Sequence, residues 1–318
     1  MTEDNVPAEG LERYGLVNNP FRELSAEATA DIPLFHVNLE MDGTLQSIKD
    51  EVLEKSNRAV VALAGPIGTG KTERLLLAQS EAKERKAFVI YFDITLKNSW
   101  VFKGIGKAVQ DQVHLGGFAK ALAPPHWYRD IQALQKIKDQ NYDPRQVGKS
   151  LASALNENAP AFLLLNDAHV LEKSPELDAF VIALQEIADG IHPGVLVMFS
   201  CYPDTLSKIF STHPAFASRV NTVFNLPRLT AEEAGLLLAK KMLAKRVVED
   251  LDPLFPFDME SIAALNALAR GNPRKLLHLA DQVVELGVSR RAYRIDTELV
   301  EAIKTAPPPK TPSSQPSK

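Results

Sequence analysis

Gly65, Pro66, Ile67, Gly68, Thr69, Gly70, Lys71 and Thr72 follow one another in this chain and spell G-x-x-x-x-G-K-[ST]. Residues of these types at this spacing bind phosphate. Successive backbone N–H groups of such a loop point inward and form an anion-binding nest. A helix that starts where the loop ends adds the positive end of its dipole. Lys71 is expected to reach the β- and γ-phosphates of a nucleotide, and the Thr72 hydroxyl to ligate Mg²⁺. Gly65, Gly68 and Gly70 permit backbone angles and a close phosphate approach that a Cβ would block.

A phosphate loop works with a strand that ends in an acid, which holds Mg²⁺ through water and polarises the attacking water. Phe162-Leu-Leu-Leu-Asn166-Asp167-Ala168-His169 is the good candidate. Its four apolar residues predict a strand in the sheet centre, beside the strand of the phosphate loop. The usual ending is Asp-Glu-Ala-His, and here the pair is Asn166 and Asp167. Asn166 is neutral and a poorer partner for the cation. Asp167 is one methylene shorter than glutamate, so its carboxylate reaches less far toward a water. Sliding the register by one makes Asp167 the metal acid but leaves Ala168 where the base belongs. Thr72, Asn166 and Asp167 are thus the candidate metal residues and Asp167 the candidate catalytic acid. Slow hydrolysis is expected, with a binding-only switch as the alternative.

These groups need a scaffold. Residues 58–64 form a short apolar run suited to a buried parallel strand, and residues 71–85 read as a helix. Further strand runs lie at 87–93, 161–166, 194–200 and 221–226, alternating with helical patterns. This predicts an α/β fold, a P-loop NTPase with a central parallel five-stranded sheet. From Thr230 the strand runs stop, and helices are expected at 230–248, 258–270, 273–287 and 296–304. Thr230-Ala-Glu-Glu233 is a capping box for the first of them. The expected division is a disordered N-terminus over 1–10, an α/β nucleotide-binding domain over 11–229, a small all-helical lid over 230–306 and a disordered Pro/Ser-rich tail over 307–318. Residues 96–145 read as two or three helices broken at Gly116-Gly117 and Pro124-Pro125. Trp100, Trp127 and Tyr128 are expected to pack there as core.

Composition narrows the class further. The chain has 318 residues, room for about two domains, and a net charge of −4, without the basic bias of an autonomous DNA-binding domain. Its one cysteine, Cys201, excludes an intramolecular disulfide and a cysteine-based zinc site. The seven histidines lack metal-ligand spacing. The polar, acidic start is unlike a signal peptide, and no apolar run approaches the length of a membrane helix. A reducing cytoplasmic location is expected.

Two further motifs carry a family resemblance. Phe216-Ala-Ser218-Arg219-Val220 precedes the last strand run, and Gly271-Asn-Pro-Arg274-Lys-Leu276 opens a helix of the second domain. With the phosphate loop and the 162–169 segment, residues 12–305 resemble the AAA+ ATPase superfamily. The resemblance implies ATP as the nucleotide and a homo-oligomer. It implies that Arg219 is an arginine finger for a neighbouring subunit's nucleotide and that Arg274 is a sensor arginine for the γ-phosphate. Sensor 1 sits at the end of the fourth strand, where Ser200, Cys201 and Tyr202 compete. The opening Tyr14-Gly-Leu-Val-Asn-Asn-Pro-Phe21 resembles that of the TniB/ExeA-like ATPases, which include regulators of DNA transposition and a secretion-pore ATPase. The lid also resembles origin-binding initiators and clamp loaders. Initiators usually carry a winged helix after the lid, for which this chain is expected to be too short, and the membrane segment of the secretion type is not expected.

The leading expectation is therefore an oligomeric ATP-dependent switch on double-stranded DNA, with a protein partner such as a recombinase. Lys103 and Lys107, Lys240, Lys241 and Lys245, and Arg290, Arg291 and Arg294 are the candidate basic surfaces, against the reading of ordinary solvated helix faces. The alternative is a nucleotide-gated scaffold or assembly factor that recognises a protein and not DNA. A metabolic kinase is disfavoured by the helical lid with its Gly-x-x-Arg.

Overall fold

The computed structural model describes residues 10–22, 36–95, 101–112, 124–136, 142–248 and 250–305. Trp100, the Gly116-Gly117 break, residues 1–9 and the 307–318 tail lie outside the described residues. Contacts divide the chain into two units, Asn38–Pro227 and a second made of Met1–Val37 with Arg228–Lys318.

The first unit runs α1 (Glu40–Leu53), β1 (Ala59–Ala64), α2 (Lys71–Glu84), β2 (Phe88–Asp93), α3 (Val101–Gln112), α4 (His126–Lys136) and α5 (Pro144–Glu157). It continues through β3 (Ala161–Asn166), a 3₁₀ segment (Ala168–Lys173), α6 (Glu176–Gly190), β4 (Val195–Cys201), α7 (Pro203–Thr212), α8 (Pro214–Ala217) and β5 (Thr222–Asn225). The five strands form one sheet in the order β2-β3-β4-β1-β5, and every pair is parallel. The expected α/β sheet is therefore present. One detail differs from the sequence reading: β3 is not beside the phosphate-loop strand, because β4 lies between β3 and β1, and β4 is the central strand. Both β3 and β4 are continuous apolar runs buried on both faces, so composition does not rank them.

Successive side chains of a strand point to opposite faces, and the core splits accordingly. Val60, Ala62, Leu163, Leu165, Val197 and Phe199 face one helical layer that includes Phe102, Ile131, Leu151 and Phe180. Val61, Leu63, Phe162, Leu164, Leu196 and Met198 face the other, made by Leu45 and Val52 of α1 and by Leu75, Ala78 and Ala82 of α2. Trp127 and Tyr128 are buried in the first layer as expected, and the Trp127 indole N–H donates to Glu157 Oε2 at 2.7 Å.

The second unit contains α9 (Ala231–Leu243), α10 (Met259–Ala269), α11 (Pro273–Ser289) and α12 (Thr297–Thr305). The Thr230–Glu233 capping box forms in both directions. The first helix is shorter than its pattern suggests. After it, residues 245–247 pair with residues 15–17: Val17 N–H donates to Lys245 O at 2.9 Å and Val247 N–H to Gly15 O at 2.9 Å. The Tyr14-Gly15-Leu16 opening is thus built into the helical unit. Tyr14 is fully buried and its hydroxyl donates to Ala292 O at 3.0 Å. A Cβ on Gly287 would stand 2.6 Å from that hydroxyl oxygen, which explains the glycine. Gly271 of the Gly-x-x-Arg motif has φ +67°, and a Cβ there would lie 2.6 Å from Arg228 Cβ.

Candidate functional site

The phosphate loop follows β1, whose six residues are all buried, and runs directly into α2. Gly65 is required by its surroundings, since a Cβ would meet Thr69 Oγ1 at 2.6 Å. Gly70 caps α2 at φ 90°, a conformation that costs a residue with a Cβ about 1–2 kcal/mol. The Lys71 ammonium folds over the loop and donates to Gly65 O at 2.7 Å and Pro66 O at 2.9 Å. Thr69 Oγ1 donates to the same Pro66 O at 2.9 Å, and Ile67 stands exposed at the loop. The charge on Lys71 is thus held against carbonyl oxygens, which a phosphate group would outbid as a hydrogen-bond acceptor.

An ion pair holds the helix behind the loop. Arg74, one turn into α2, donates from Nε to Asp42 Oδ1 and from Nη2 to Asp42 Oδ2, both at 2.8 Å. The Arg74 side chain is 4% exposed and that of Asp42 13%. This fork fixes α2 against α1 next to the loop.

Strand parity assembles the rest. Asp93 and Asn166 end their strands and Ser200 is the last residue but one of β4, in phase with Val89, Leu164 and Met198, so all three side chains project toward the layer of α2. There Thr72 Oγ1 donates to Asn166 Oδ1 at 3.2 Å, and Ser200 Oγ donates to the same oxygen at 2.8 Å. Ser200 in turn accepts from the Asp167 N–H at 2.8 Å. Asn166 Nδ2 donates to Asp93 Oδ1 at 2.8 Å, and the Tyr91 hydroxyl reaches that oxygen at 2.9 Å. Asn166 is 1% exposed, so its amide is committed to this network. Of the three residues competing at the end of β4, Ser200 is the one that joins it. The Cys201 side chain faces the opposite layer, where burial pushes its thiol up to about 12.

Asp167 turns the chain from β3 into the 3₁₀ segment with φ 61°, a left-handed conformation that aspartate tolerates better than most residues. Its carboxylate Oδ1 stands 3.8 Å from His169 Nδ1, and the His169 ring stacks on Tyr202 with centroids 3.6 Å apart. Burial holds the His169 pKa below its ordinary value, against the opposing pull of the Asp167 carboxylate. The Lys71 ammonium lies 5.1 Å from the centre of the Tyr202 ring. Tyr202 therefore touches both the phosphate lysine and the histidine beside the acid.

The structure brings the loop, Thr72, Asn166, Asp167 and Ser200 together at the carboxyl ends of the strands, where open parallel sheets bind ligands. It keeps Arg219 away from the loop of its own chain. Arg219 precedes β5, and Asn221 beside it bonds Val60 near the amino end of β1. The five residues from Val60 to Gly65 span roughly 15 Å of strand. The Arg219 Nε donates to Asp189 Oδ1 at 2.8 Å, and Nη1 to Ala215 O at 2.8 Å and Ser218 Oγ at 2.9 Å. Arg274 belongs to the other unit, in the first turn of α11, which Asn272 caps through the Lys275 N–H. Sequence reasoning missed Asp93, Asp42 and Arg74. Asp93 carried a signal, since a carboxylate closing an apolar strand run stands where such sheets place their ligands.

A five-stranded parallel sheet in this order, with a phosphate loop after β1 and helices following β5 in the chain, is the fold typical of AAA+ P-loop cores. The chain is similar in structure to the ORC1 protein of Aeropyrum pernix in complex with DNA, with a TM-score of 0.56 at 16% identity over 89% of this chain and 69% of that one. It is also similar to the ORC2 protein of the same organism in ADPNP–ADP complexes (TM-score 0.53, 15% identity, 86% and 70% covered) and to CDC6P of Pyrobaculum aerophilum (0.52, 14%, 87% and 75%). No family model and no curated protein matches the sequence.

Proposed function

We propose that this chain is an ATP-binding AAA+ protein with slow or partner-stimulated hydrolysis that acts as an oligomeric, ATP-dependent switch on DNA. The observation that carries the reading is the Thr72–Asn166–Ser200 cluster directly behind a complete phosphate loop. The ADPNP–ADP complexes of the ORC2 protein and the DNA complex of the ORC1 protein support it at the level of fold. Gly65 to Thr72 would cradle the phosphates, with Lys71 as their cation, and Arg274 would read the γ-phosphate from the lid. Thr72, Asn166 and Asp167 would hold Mg²⁺. The donors are oxygens, and among the described residues no group of three or more His, Cys, Asp or Glu could hold a metal by itself. That suits Mg²⁺, which keeps waters and takes phosphate oxygens in place of an all-protein cage. When bound, the cation neutralises charge on the phosphates. Asn166 at the first acid position, and the short Asp167 at the second, argue for slow turnover. The opening Tyr14 to Phe21 favours the transposition-regulator type with a recombinase-like partner.

Duplex DNA retained on a filter should rise on addition of ATP and fall steeply with salt, as phosphate contacts require. ATP-dependent oligomers that ignore DNA at low salt would instead support the second reading, a nucleotide-gated protein scaffold. Arg219→Ala should leave the ATP affinity of the isolated subunit within about twofold of wild type while lowering turnover by about 10³-fold, the contribution typical of an arginine finger. Mixing Arg219→Ala with Lys71→Ala subunits creates interfaces with one intact loop and one intact finger, so turnover should partly return. No return in a co-assembled mixture would transfer the role to Arg228.

A further inference from the structure

We infer that Asp93 supplies the negative charge that position 166 lacks, so that Asp93 and Asn166 form a charge-exchanged pair behind the divalent cation. The inference rests on the nucleotide reading of the site given above. Asp93 closes β2 directly opposite Asn166 in the parallel register. A carboxylate only accepts hydrogen bonds, so the Asn166 group 2.8 Å from Asp93 Oδ1 must be its NH₂. That choice turns Asn166 Oδ1 toward the two hydroxyls of Thr72 and Ser200. Asn166 therefore offers Thr72 the same acceptor oxygen that an aspartate would, while the charge sits one strand further out. The carboxylate draws density from the amide through its NH₂, which strengthens Oδ1 as an acceptor. Asp93 acts through Asn166 and is a positioning residue.

The same geometry bears on repair of the unusual acid pair. An aspartate at 166 beside Asp93 would set two carboxylate oxygens 2.8 Å apart, where their charges repel. Restoring an acid at 166 therefore calls for removing the one at 93.

The test compares wild type, Asp93→Asn, Asn166→Asp and the Asp93→Asn/Asn166→Asp double variant. ATP affinity is measured by calorimetry once with MgCl₂ and once with EDTA, and the quantity read is the ratio of the two. Asp93 is exposed, and asparagine can keep the bonds to Asn166 and Tyr91 while removing the charge. Asp93→Asn should lower the Mg²⁺-dependent gain about tenfold, the usual cost of losing a group behind a metal ligand, with affinity in EDTA unchanged. The double variant should recover the gain to within about threefold of wild type, a coupling of the size contacting charges show. Asn166→Asp alone should melt below wild type without ligand, and the double variant should melt near it. A purely structural role for Asp93 would move both affinities together and leave the ratio intact. An unchanged ratio in Asp93→Asn, or no recovery in the double variant, overturns the inference while ATP binding by wild type leaves the nucleotide reading standing. A wild type that binds no ATP under either condition refutes both.

Discussion

Lys71→Ala should lower ATP affinity by about a hundredfold or more. The side chain is 6% exposed and its ammonium already lies over the loop, 2.7 Å and 2.9 Å from two loop carbonyls. Moving those hydrogen bonds from neutral carbonyls to phosphate oxygens makes them charge-assisted. Hydrogen bonds to charged groups are worth about 1.5–3 kcal/mol each, and losing one or two of them corresponds to roughly one to four decades in affinity. Alanine also frees Gly65 O and Pro66 O from their bonds to Lys71, so the loop loses part of what holds its shape without ligand. Isothermal titration with ATP checks this, and equal affinities for the two proteins would remove the phosphate loop from the functional account.

Asp42→Ala should destabilise the α/β unit by about 3–5 kcal/mol, the cost of stripping the partner from a buried ion pair. Arg74 would be left with its charge in a position only 4% exposed and without the carboxylate that takes two of its N–H groups. The Leu39 N–H would also lose its acceptor, Asp42 Oδ2 at 2.7 Å. A lowered urea midpoint checks the effect. Replacing both partners with apolar residues of similar volume, Asp42→Leu with Arg74→Met, should cost far less, because no unpaired charge remains. A single variant within about 1 kcal/mol of wild type, the value of an exposed pair, would show that water reaches the pair. Because α2 begins at the phosphate loop, the destabilised protein should also bind ATP less tightly, and saturating ATP should restore part of the lost midpoint.

The parts of this protein that depend on near neighbours in the chain were legible without a structure. The glycine spacing of 65–72 and the apolar run before it define strand, loop and helix from Ala59 to Glu84, since each follows from local backbone freedom and side-chain period. The same holds for the Thr230–Glu233 cap and for the switch from strand runs to helices after it. Tertiary structure decided whatever depends on residues far apart in sequence. The position of β4 between β1 and β3 could not be read from two equally apolar strands. Ser200 was separated from Cys201 and Tyr202 by strand parity together with register, which turn it toward Asn166. The pairing of residues 15–17 with 245–247 ended a helix early, although the helical pattern continued. Asp93 and Asn166 are 73 residues apart, and only the parallel register of β2 and β3 places the carboxylate of one against the amide of the other. Periodicity records which face a side chain takes, whereas the neighbour it meets on that face is set by how the strands pair.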